Sequence, residues 1–325
     1  MSAKISSAQY TVAIVGATGN LGKEVANQFL TNYRLFFPRV IAVGRDISTP
    51  EARQLVEQGV ELRSVDPANA TESFTKAFEG ADVVINVSAH APLEYINALF
   101  RGALNNGVKV YFPSEYGSDH RLHNFEGWDA EVWEAKHKHA VEARSLAQGK
   151  LKIIALYTGL FMEGTIGPWF GFDTANRVYT CIGSPDKKTA ITGKVDIARA
   201  LAELSLLALS PGTAAQVPDE ARIAGDNVSY RDIRDIVQRV RGALGVQPAE
   251  IALEEVELAP FREKVRTGEL QEPHYGPLHH IRILIAEGRH DFTENNNELV
   301  NPGQKAWKWK TVEDYVREVG GKPHC

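Results

Sequence analysis

A glycine-rich turn near the beginning of the sequence constrains the fold more than any other feature. An apolar run ending at Val15 leads directly into Gly16-Ala-Thr-Gly-Asn-Leu-Gly22, and a helical pattern with one apolar face follows. Glycine permits the tight turn and lets the backbone approach a phosphate closely, while the start of a helix offers N–H groups and a positive dipole end. The turn therefore predicts a dinucleotide site built from Gly16, Thr18, Gly19, Asn20, Leu21 and Gly22.

Strand and helix patterns alternate along the first half of the sequence. Strand candidates occupy residues 10–15, 40–44, 60–65, 82–87, 108–112 and 151–156, and helical patterns occupy 21–30, 50–58, 93–104 and 130–146. Alternation at these lengths predicts an α/β fold, a doubly wound parallel sheet of the Rossmann type with helices on both faces. Ligands of such sheets bind beyond the carboxyl ends of the strands, so we expect the functional residues there.

The alternation of strand and helix patterns becomes irregular after Tyr157, and glycines are interspersed with aromatic residues as far as Phe172. A segment of this kind suits a pocket wall or lid, and a packed loop is the alternative. We expect a nucleotide-binding domain over residues 9–158, to which part of 189–245 returns. Most of residues 159–325 would form a smaller substrate-binding domain.

The end of the second strand indicates which dinucleotide is bound. NAD enzymes usually carry an acidic residue there, whereas this strand ends in Val43-Gly-Arg45. A guanidinium suits the 2′-phosphate of NADP because it forms paired, charge-assisted hydrogen bonds. The sequence therefore favours NADP(H), with Arg53 as a second phosphate partner, although Asp46 beside Arg45 weakens the assignment. Polar residues at further strand ends complete the predicted cofactor site: Asp66, Asn86 and Ser88.

The composition excludes several other classes of protein. The chain has 43% hydrophobic and 24% charged residues and a net charge of −5, which argues against nucleic acid as a partner. Its basic-aromatic run at residues 305–310 is expected to be a packed segment. Two cysteines and the histidines grouped at residues 120–139 lack metal-ligand spacing, so we expect no metal. No apolar run reaches membrane length and residues 1–9 lack a signal-peptide core, so we expect a cytoplasmic protein without a membrane partner.

Four motifs together resemble a known group of enzymes. They are the glycine turn at 16–22, Val-Gly-Arg at 43–45, Phe-Pro-Ser-Glu-Tyr-Gly at 112–117 and a lysine at position 136. This combination resembles the isoflavone-reductase-like and NmrA-like branch of the atypical short-chain dehydrogenases. The resemblance covers most of the chain and weakens after about residue 164. It implies an NADPH-dependent reductase of phenylpropanoid or other aromatic compounds, while some NmrA-like members are regulators that bind the nucleotide without catalysis.

The resemblance also implies a catalytic lysine. In the family this lysine lies on the helix after the Phe-Pro-Ser-Glu turn, in an aromatic-x-x-Lys setting, and Trp133-Glu-Ala-Lys136 matches it here. Lys138 is the weaker candidate. A Tyr-x-x-x-Lys signature does not occur in the sequence, so Lys136 is expected to act as general acid/base. The alternative reading is a surface lysine paired with a glutamate of its own helix.

The substrate is less constrained than the cofactor. We expect it to contact residues at or just after strand ends: Ser114, Tyr116, Tyr157 and Phe161. Ser114 is equally well explained as a turn serine bonded to the backbone. Ala140 and Ile96 stand where plant members of the family have arginine and glutamine, which argues against their lignan and isoflavone substrates. A nucleotide-sensing regulator and a quinone or carbonyl reductase without a lysine acid remain the alternatives, and the sequence leaves the assembly open, a homodimer included.

Overall fold

The computed structural model describes residues 8–89, 91–273 and 276–323. His90, a histidine that the sequence places at a strand end, lies outside the described residues. The strands are β1 (Thr11–Val15), β2 (Arg39–Gly44), β3 (Glu61–Ser64), β4 (Val83–Asn86), β5 (Val110–Phe112), β6 (Lys152–Ile153), β7 (Ala155–Tyr157), β8 (Leu160–Phe161), β9 (Phe172–Asp173), β10 (Val178–Ile182), β11 (Lys188–Thr192), β12 (Glu220–Arg222), β13 (Asp226–Ser229) and β14 (Ala252–Val256).

The α-helices follow the strands closely in the first half of the chain and dominate its last third. They are α1 (Asn20–Leu30), α2 (Pro50–Glu57), α3 (Ala70–Ala77), α4 (Leu93–Asn105), α5 (Glu131–Ala147), α6 (Lys194–Leu209), α7 (Tyr230–Ala243), α8 (Leu258–Arg266), α9 (Leu278–Ala286), α10 (Asn297–Val300) and α11 (Val312–Glu318). No helix in the described part of the chain is long and apolar enough to cross a membrane.

The chain divides into two compact units. The first unit consists of Met1–Glu115, Ala135–Leu156 and Ala198–Ala221, and the second of Tyr116–Glu134, Tyr157–Ile197 and Arg222–Cys325. Each unit has its own buried apolar cluster.

The first unit is built on a six-stranded sheet in the order β3-β2-β1-β4-β5-β6. All neighbouring strands are parallel, and Val12 on the central strand pairs with Val40 of β2 and Val83 of β4. β-Branched residues buried on both faces favour such strands. This order is that of the Rossmann fold, and the fold class predicted from the alternating pattern is confirmed.

The sixth strand is shorter than its pattern predicted. β6 pairs with β5 through Lys152 and Ile153, and the Ile154 amide still donates to the Tyr111 carbonyl at 2.9 Å. The next amide, Ala155, donates instead to the Asp219 carbonyl at 2.8 Å. The apolar run therefore continues past the sheet because β7 pairs with β12.

Helix α3 was not predicted, and close packing with α4 explains how so short a helix is held. Phe74 and Phe78 of this region stack at 5.5 Å between ring centroids and are fully buried. A Cβ on Gly102 of α4 would lie 2.6 Å from the Phe74 Cβ. Glycine at that position thus allows the two helices to approach.

The second unit contains two small sheets, in the orders β14-β10-β9 and β13-β11-β8. Phe172 stacks on Tyr230 at 4.4 Å, so the end of the glycine-aromatic segment is packed into the core. Within the basic-aromatic run, Trp309 is packed and only 6% exposed, whereas Lys305 and Lys308 are exposed. Capping boxes at Ser229 and Thr311 start α7 and α11.

Candidate nucleotide-binding and catalytic site

A cleft of about 900 Å³ lies in the first unit, at the carboxyl ends of β1, β2 and β4. This is the edge at which parallel α/β sheets bind their ligands, because the strand order reverses there. Six of the lining residues carry the argument: Gly16, Thr18, Gly19, Arg45, Ser88 and Tyr95. The structure thus brings together four of the predicted phosphate-loop and strand-end residues, together with Arg45.

Two glycines make the turn after β1 possible. Gly16 has φ +85°, and a Cβ on it would lie 2.9 Å from the Cα and N of Ser88. A Cβ on Gly22 would lie 2.0 Å from the Gly16 carbonyl oxygen. Both positions exclude a larger residue, so the bare backbone of the turn faces the cleft and α1 starts close to β1.

The start of α1 completes a phosphate cradle, by which we mean the glycine turn at residues 16–22. Gly19 is its N-cap in an extended conformation, and no side chain caps the first turn. Asn20 and Leu21 open the helix, and Leu21 and Gly22 are buried. Backbone N–H groups and the positive end of the helix dipole at this point suit a phosphate.

The two charged residues after β2 have different surroundings. Arg45 is exposed at the cleft, and its guanidinium has no hydrogen bond or ion pair to any residue that the structure describes. The Asp46 carboxylate accepts from the Ser48 amide at 2.8 Å and from the Ser48 hydroxyl at 2.7 Å, which lowers the pKa of that carboxyl. The Asp46 carboxylate is thus occupied by hydrogen bonds within its own turn. The donors of the Arg45 guanidinium remain available for a ligand.

Two predicted cofactor residues point elsewhere. The Arg53 guanidinium donates to the Ser48 carbonyl at 3.0 and 3.3 Å and does not line the cleft. The Asp66 carboxylate caps a short 3₁₀ turn by accepting from the Ala68 amide at 2.9 Å. Local backbone partners therefore occupy both side chains, and their contact with a cofactor remains a prediction.

The ends of β4 and β5 are joined by serine hydroxyls. Asn86 is fully buried, and its Oδ1 accepts from the Ser88 hydroxyl at 2.6 Å and from the Ser88 amide at 3.1 Å. The Ser114 hydroxyl donates to the Ser88 carbonyl at 2.8 Å. Ser114 is therefore bonded to the backbone of the Ser88 loop at the rim of the cleft, and its contact with a substrate stays a prediction.

Lys136 is held by the turn that follows β5. Its Nζ donates to the Glu115 carbonyl oxygen at 3.1 Å and lies 3.4 Å from the carboxylate Oε2 of the same residue. The Glu115 side chain is 4% exposed and the Lys136 side chain 24% exposed. The Phe-Pro-Ser-Glu motif thus supplies the carboxylate for the lysine, and the surface pairing with a glutamate of its own helix is not what the structure shows.

The other predicted substrate residues belong to the second unit. Tyr116 has φ 33°, in the left-handed region, and is buried. Tyr157 is 2% exposed, with the Arg121 guanidinium 5.0 Å from its ring centroid. Phe161 ends β8 and pairs with Thr192 of β11. Their contact with a substrate stays a prediction.

The grouped histidines divide between different surroundings. His123 stacks on Trp133 at 5.7 Å and lies 3.2 Å from Asp129 in the second unit. His139 is buried in the first unit against Tyr111, and His137 is exposed. Within the described ranges no three His, Cys, Asp or Glu residues are arranged to hold a metal ion.

Sequence reasoning missed three parts of this site. Glu115 lies within the Phe-Pro-Ser-Glu motif, but nothing in the sequence marks it as the partner of Lys136. Tyr95 lines the cleft from within α4, where the helical pattern gives no sign of a ligand contact. The contacts of His139 with Tyr111 and Asn97 join residues 28 and 42 positions apart. Contacts between residues so far apart in the sequence cannot be predicted from a local pattern.

The chain is similar in sequence to known oxidoreductases and in fold to solved structures. The chain is 24% identical over 190 residues to the oxidoreductase aprR of Aspergillus flavus, across 58% of this chain and 62% of that protein. It thus spans less than two thirds of the length of that relative. A solved structure of isoflavone reductase matches with a TM-score of 0.72 and 16% identity, covering 96% of this chain and 99% of that one. The structure of AtPrR2 with NADP+ and (+)pinoresinol matches with a TM-score of 0.70 and 17% identity, covering 95% and 98%.

The structural matches establish the fold, because their sequence identities are low. The family is established by sequence: the model of the NmrA-like family matches residues 8–244, which is most of the chain. This span contains the glycine turn, the cleft and the lysine with its carboxylate. The resemblance inferred from the four motifs is therefore confirmed, and the chain belongs to the NmrA-like family.

Proposed function

We propose that this chain is an NADPH-dependent reductase that transfers a hydride to a small aromatic substrate, with Lys136 as general acid/base. The observation that carries the proposal is the Lys136 amine held against the buried Glu115 carboxylate at the end of β5. The names of the oxidoreductase relative and of the NADP-bound structural neighbour support the same class of activity.

The nucleotide part of the proposal rests on the cradle and on Arg45. The glycine turn has room for phosphate oxygens at a place where a Cβ would collide with backbone, so these residues fit a dinucleotide. Arg45 has the donors for a 2′-phosphate and no competing protein partner in the part of the chain that is described. When bound there, NADPH supplies the hydride.

Lys136 contributes a proton at Nζ. The two contacts with Glu115 limit the rotamers of the long side chain and give the ammonium a counter-ion in a half-buried setting. A positioned donor of this kind can protonate the atom that gains negative charge as the hydride arrives. A pure nucleotide sensor has no need for such a lysine.

The aromatic substrate class is a separate element of the proposal. It rests on the pinoresinol in the AtPrR2 structure and on the aromatic residues that the sequence places after the last strand ends. Tyr116, Tyr157 and Phe161 are the proposed contact residues, and residues 159–325 the proposed substrate-binding part. We also propose that the reaction takes place in the cytoplasm.

A substrate panel tests the proposal. Purified protein is given NADPH with a range of aromatic and quinone compounds, and NADPH consumption is followed by absorbance for wild type and Lys136→Met. Lys138→Met is the matched control, because Lys138 is exposed and lies on the same helix. We expect Lys136→Met to lower kcat by about 10²-fold or more and Lys138→Met to leave it within about twofold.

Each contrary result identifies a different alternative. Turnover retained in Lys136→Met would remove the lysine from the mechanism and favour a quinone or carbonyl reductase. Tight NADPH binding with no turnover of any compound would favour a nucleotide-sensing regulator. Equal losses in the two lysine variants would mean that the helix, rather than the Lys136 amine, had been perturbed.

A further inference from the structure

Side chains from two neighbouring helices of the second unit hold the turn that precedes α5. The Arg262 guanidinium of α8 donates to the Asn124 carbonyl oxygen at 3.1 Å and lies 5.0 Å from the Trp128 ring centroid. From α9, His280 Nε2 lies 3.0 Å from the Trp128 carbonyl oxygen. The turn leads directly into α5, which begins at Glu131. The contacts that hold this turn therefore also fix the segment from which α5 starts.

The other ring nitrogen of His280 faces a carboxylate. His280 Nδ1 lies 2.6 Å from Glu272 Oε1. The backbone amides of His280 and His279 donate to Oε1 and Oε2 of the same carboxylate, each at 2.8 Å. Several N–H donors around one carboxyl group favour its ionised form. Glu272 is therefore negatively charged and accepts from His280 Nδ1.

Both partners of the His280 ring can only accept hydrogen bonds. A backbone carbonyl oxygen has lone pairs and no proton, and the same holds for the Glu272 carboxylate. Neutral imidazole has a single N–H, so it satisfies one acceptor and turns a lone pair towards the other. Rotating the ring by half a turn would place carbon atoms against both oxygens. The geometry is thus that of an imidazolium, which donates from Nδ1 to Glu272 and from Nε2 to Trp128.

The charge of this imidazolium is enclosed and compensated. The His280 side chain is 6% exposed, and the rings of Phe125, Trp128 and Trp133 lie 4.9, 5.3 and 5.8 Å from its own ring. A buried cation persists only where it is paired and its protons are hydrogen-bonded. The Glu272 carboxylate supplies the counter-charge, and the Trp128 carbonyl occupies the second proton.

The other histidines near this site do not compete for the charge. Burial lowers the pKa of His123 and that of His279. His123 Nδ1 also accepts from the Phe125 amide at 3.3 Å, as a neutral imidazole does. The charged and titratable groups around His280, on the elements packed against it, are Glu272, His279, His123, Asp129, Arg262 and Glu287. Since Arg262 is paired with Glu287, the Glu272 carboxylate is left to His280.

We propose that His280 is a proton-dependent clasp, an imidazolium that ties the Trp128 carbonyl to α9 and releases it on losing a proton. The proton leaves from Nε2 to solvent, since Nδ1–H stays bonded to the negatively charged Glu272. Nε2 then presents a lone pair to the Trp128 carbonyl oxygen, and the two repel each other. The turn before α5 consequently loosens as the pH rises. The clasp requires neither NADPH nor a substrate, so it stands independently of the proposed function.

The protonation state of His280 is measured directly in the full chain. Histidine labelled with ¹⁵N gives long-range proton–nitrogen correlations, and the His280 signals are assigned through the neighbouring backbone signals. We expect both ring nitrogens of His280 to be protonated at pH 7. One non-protonated ring nitrogen at that pH would overturn the proposal, and this measurement needs no variant.

Release of the turn is measured by hydrogen–deuterium exchange of residues 124–130, read by mass spectrometry and corrected for the intrinsic effect of pH. In wild type the corrected exchange should rise about tenfold between about pH 6 and pH 9, because a charge-assisted hydrogen bond is lost. His280→Phe has no proton to lose and should exchange at the fast rate at each pH. Glu272→Gln should move the rise to lower pH, because an amide does not stabilise the imidazolium.

The matched control is His279→Gln. His279 is a half-buried neighbour of His280 on α9, and its ring lies 5.7 Å from that of Phe261. We expect this variant to keep the wild-type pH profile. Wild-type exchange that does not change with pH, or equal shifts in Glu272→Gln and His279→Gln, would contradict the clasp.

Discussion

Replacing Arg45 by glutamine separates NADPH recognition from fold stability. Arg45 is exposed, lines the cleft and has no hydrogen bond or ion pair within the described part of the chain. The substitution should therefore change the free energy of unfolding by less than about 0.5 kcal/mol. Hydrogen bonds between a guanidinium and a phosphate contribute about 1.5–3 kcal/mol in such a setting. The NADPH dissociation constant should consequently rise about 10- to 100-fold, at about 1.4 kcal/mol for each factor of ten.

The assay is a calorimetric titration with NADPH and with NADH at fixed low ionic strength. NADH lacks the 2′-phosphate, so its affinity should stay within about twofold in Arg45→Gln. Arg39→Gln is the control, because the Arg39 guanidinium at the start of β2 donates to the Glu61 carboxylate and does not line the cleft. Equal binding of NADH and NADPH by wild type, or equal losses in Arg45→Gln and Arg39→Gln, would refute the reasoning.

Three further changes follow from the geometry. Gly22→Ala should lower the free energy of unfolding by about 3 kcal/mol in urea titrations, because its Cβ would lie 2.0 Å from the Gly16 carbonyl oxygen. A loss of less than about 1 kcal/mol would contradict this, since it would show that the backbone of the turn can move to accommodate a methyl group. Glu115→Gln should lower kcat about tenfold while NADPH affinity stays within about twofold, because it removes the counter-ion of Lys136 but not the cradle; a loss of NADPH affinity instead would contradict this separation. Burial lowers the pKa of His139 from 6.5 to about 4, so protonation favours the unfolded chain below pH 6.5, and wild type should lose about 2 kcal/mol more stability than His139→Gln between pH 7 and pH 5. Parallel pH profiles for the two proteins would show that His139 does not contribute to the acid sensitivity.

The sheet could be predicted because its strands carry a strong local pattern. Buried apolar runs such as Val83–Asn86 end in polar residues or glycine, and each is followed by a helical segment. Helix α3 lacked such a signal, because its eight residues include several polar ones and Phe74 finds its partners on α4. The sixth strand was overextended because the apolar run from 151 to 156 serves two different sheets.

The cleft was predictable for a similar reason. Gly16, Gly19 and Gly22 act through the backbone at fixed local spacing, so the sequence alone places them together. Side-chain contacts are different. The ion pair of Lys136 joins residues 21 positions apart, so no local pattern encodes it. The Arg53 guanidinium donates to a carbonyl only five residues away, but that contact depends on a side-chain rotamer, which residue spacing does not specify.

The most direct test of the proposed reductase follows the hydride itself. NADPH carrying deuterium at the transferable position of the nicotinamide is incubated with the wild-type chain and the aromatic panel, and the products are analysed by mass spectrometry. The proposed function predicts that one product gains the deuterium, and that its yield falls about 10²-fold in Lys136→Met. Tight NADPH binding with no deuterium in any product would contradict the proposal and identify the cleft as a nucleotide sensor.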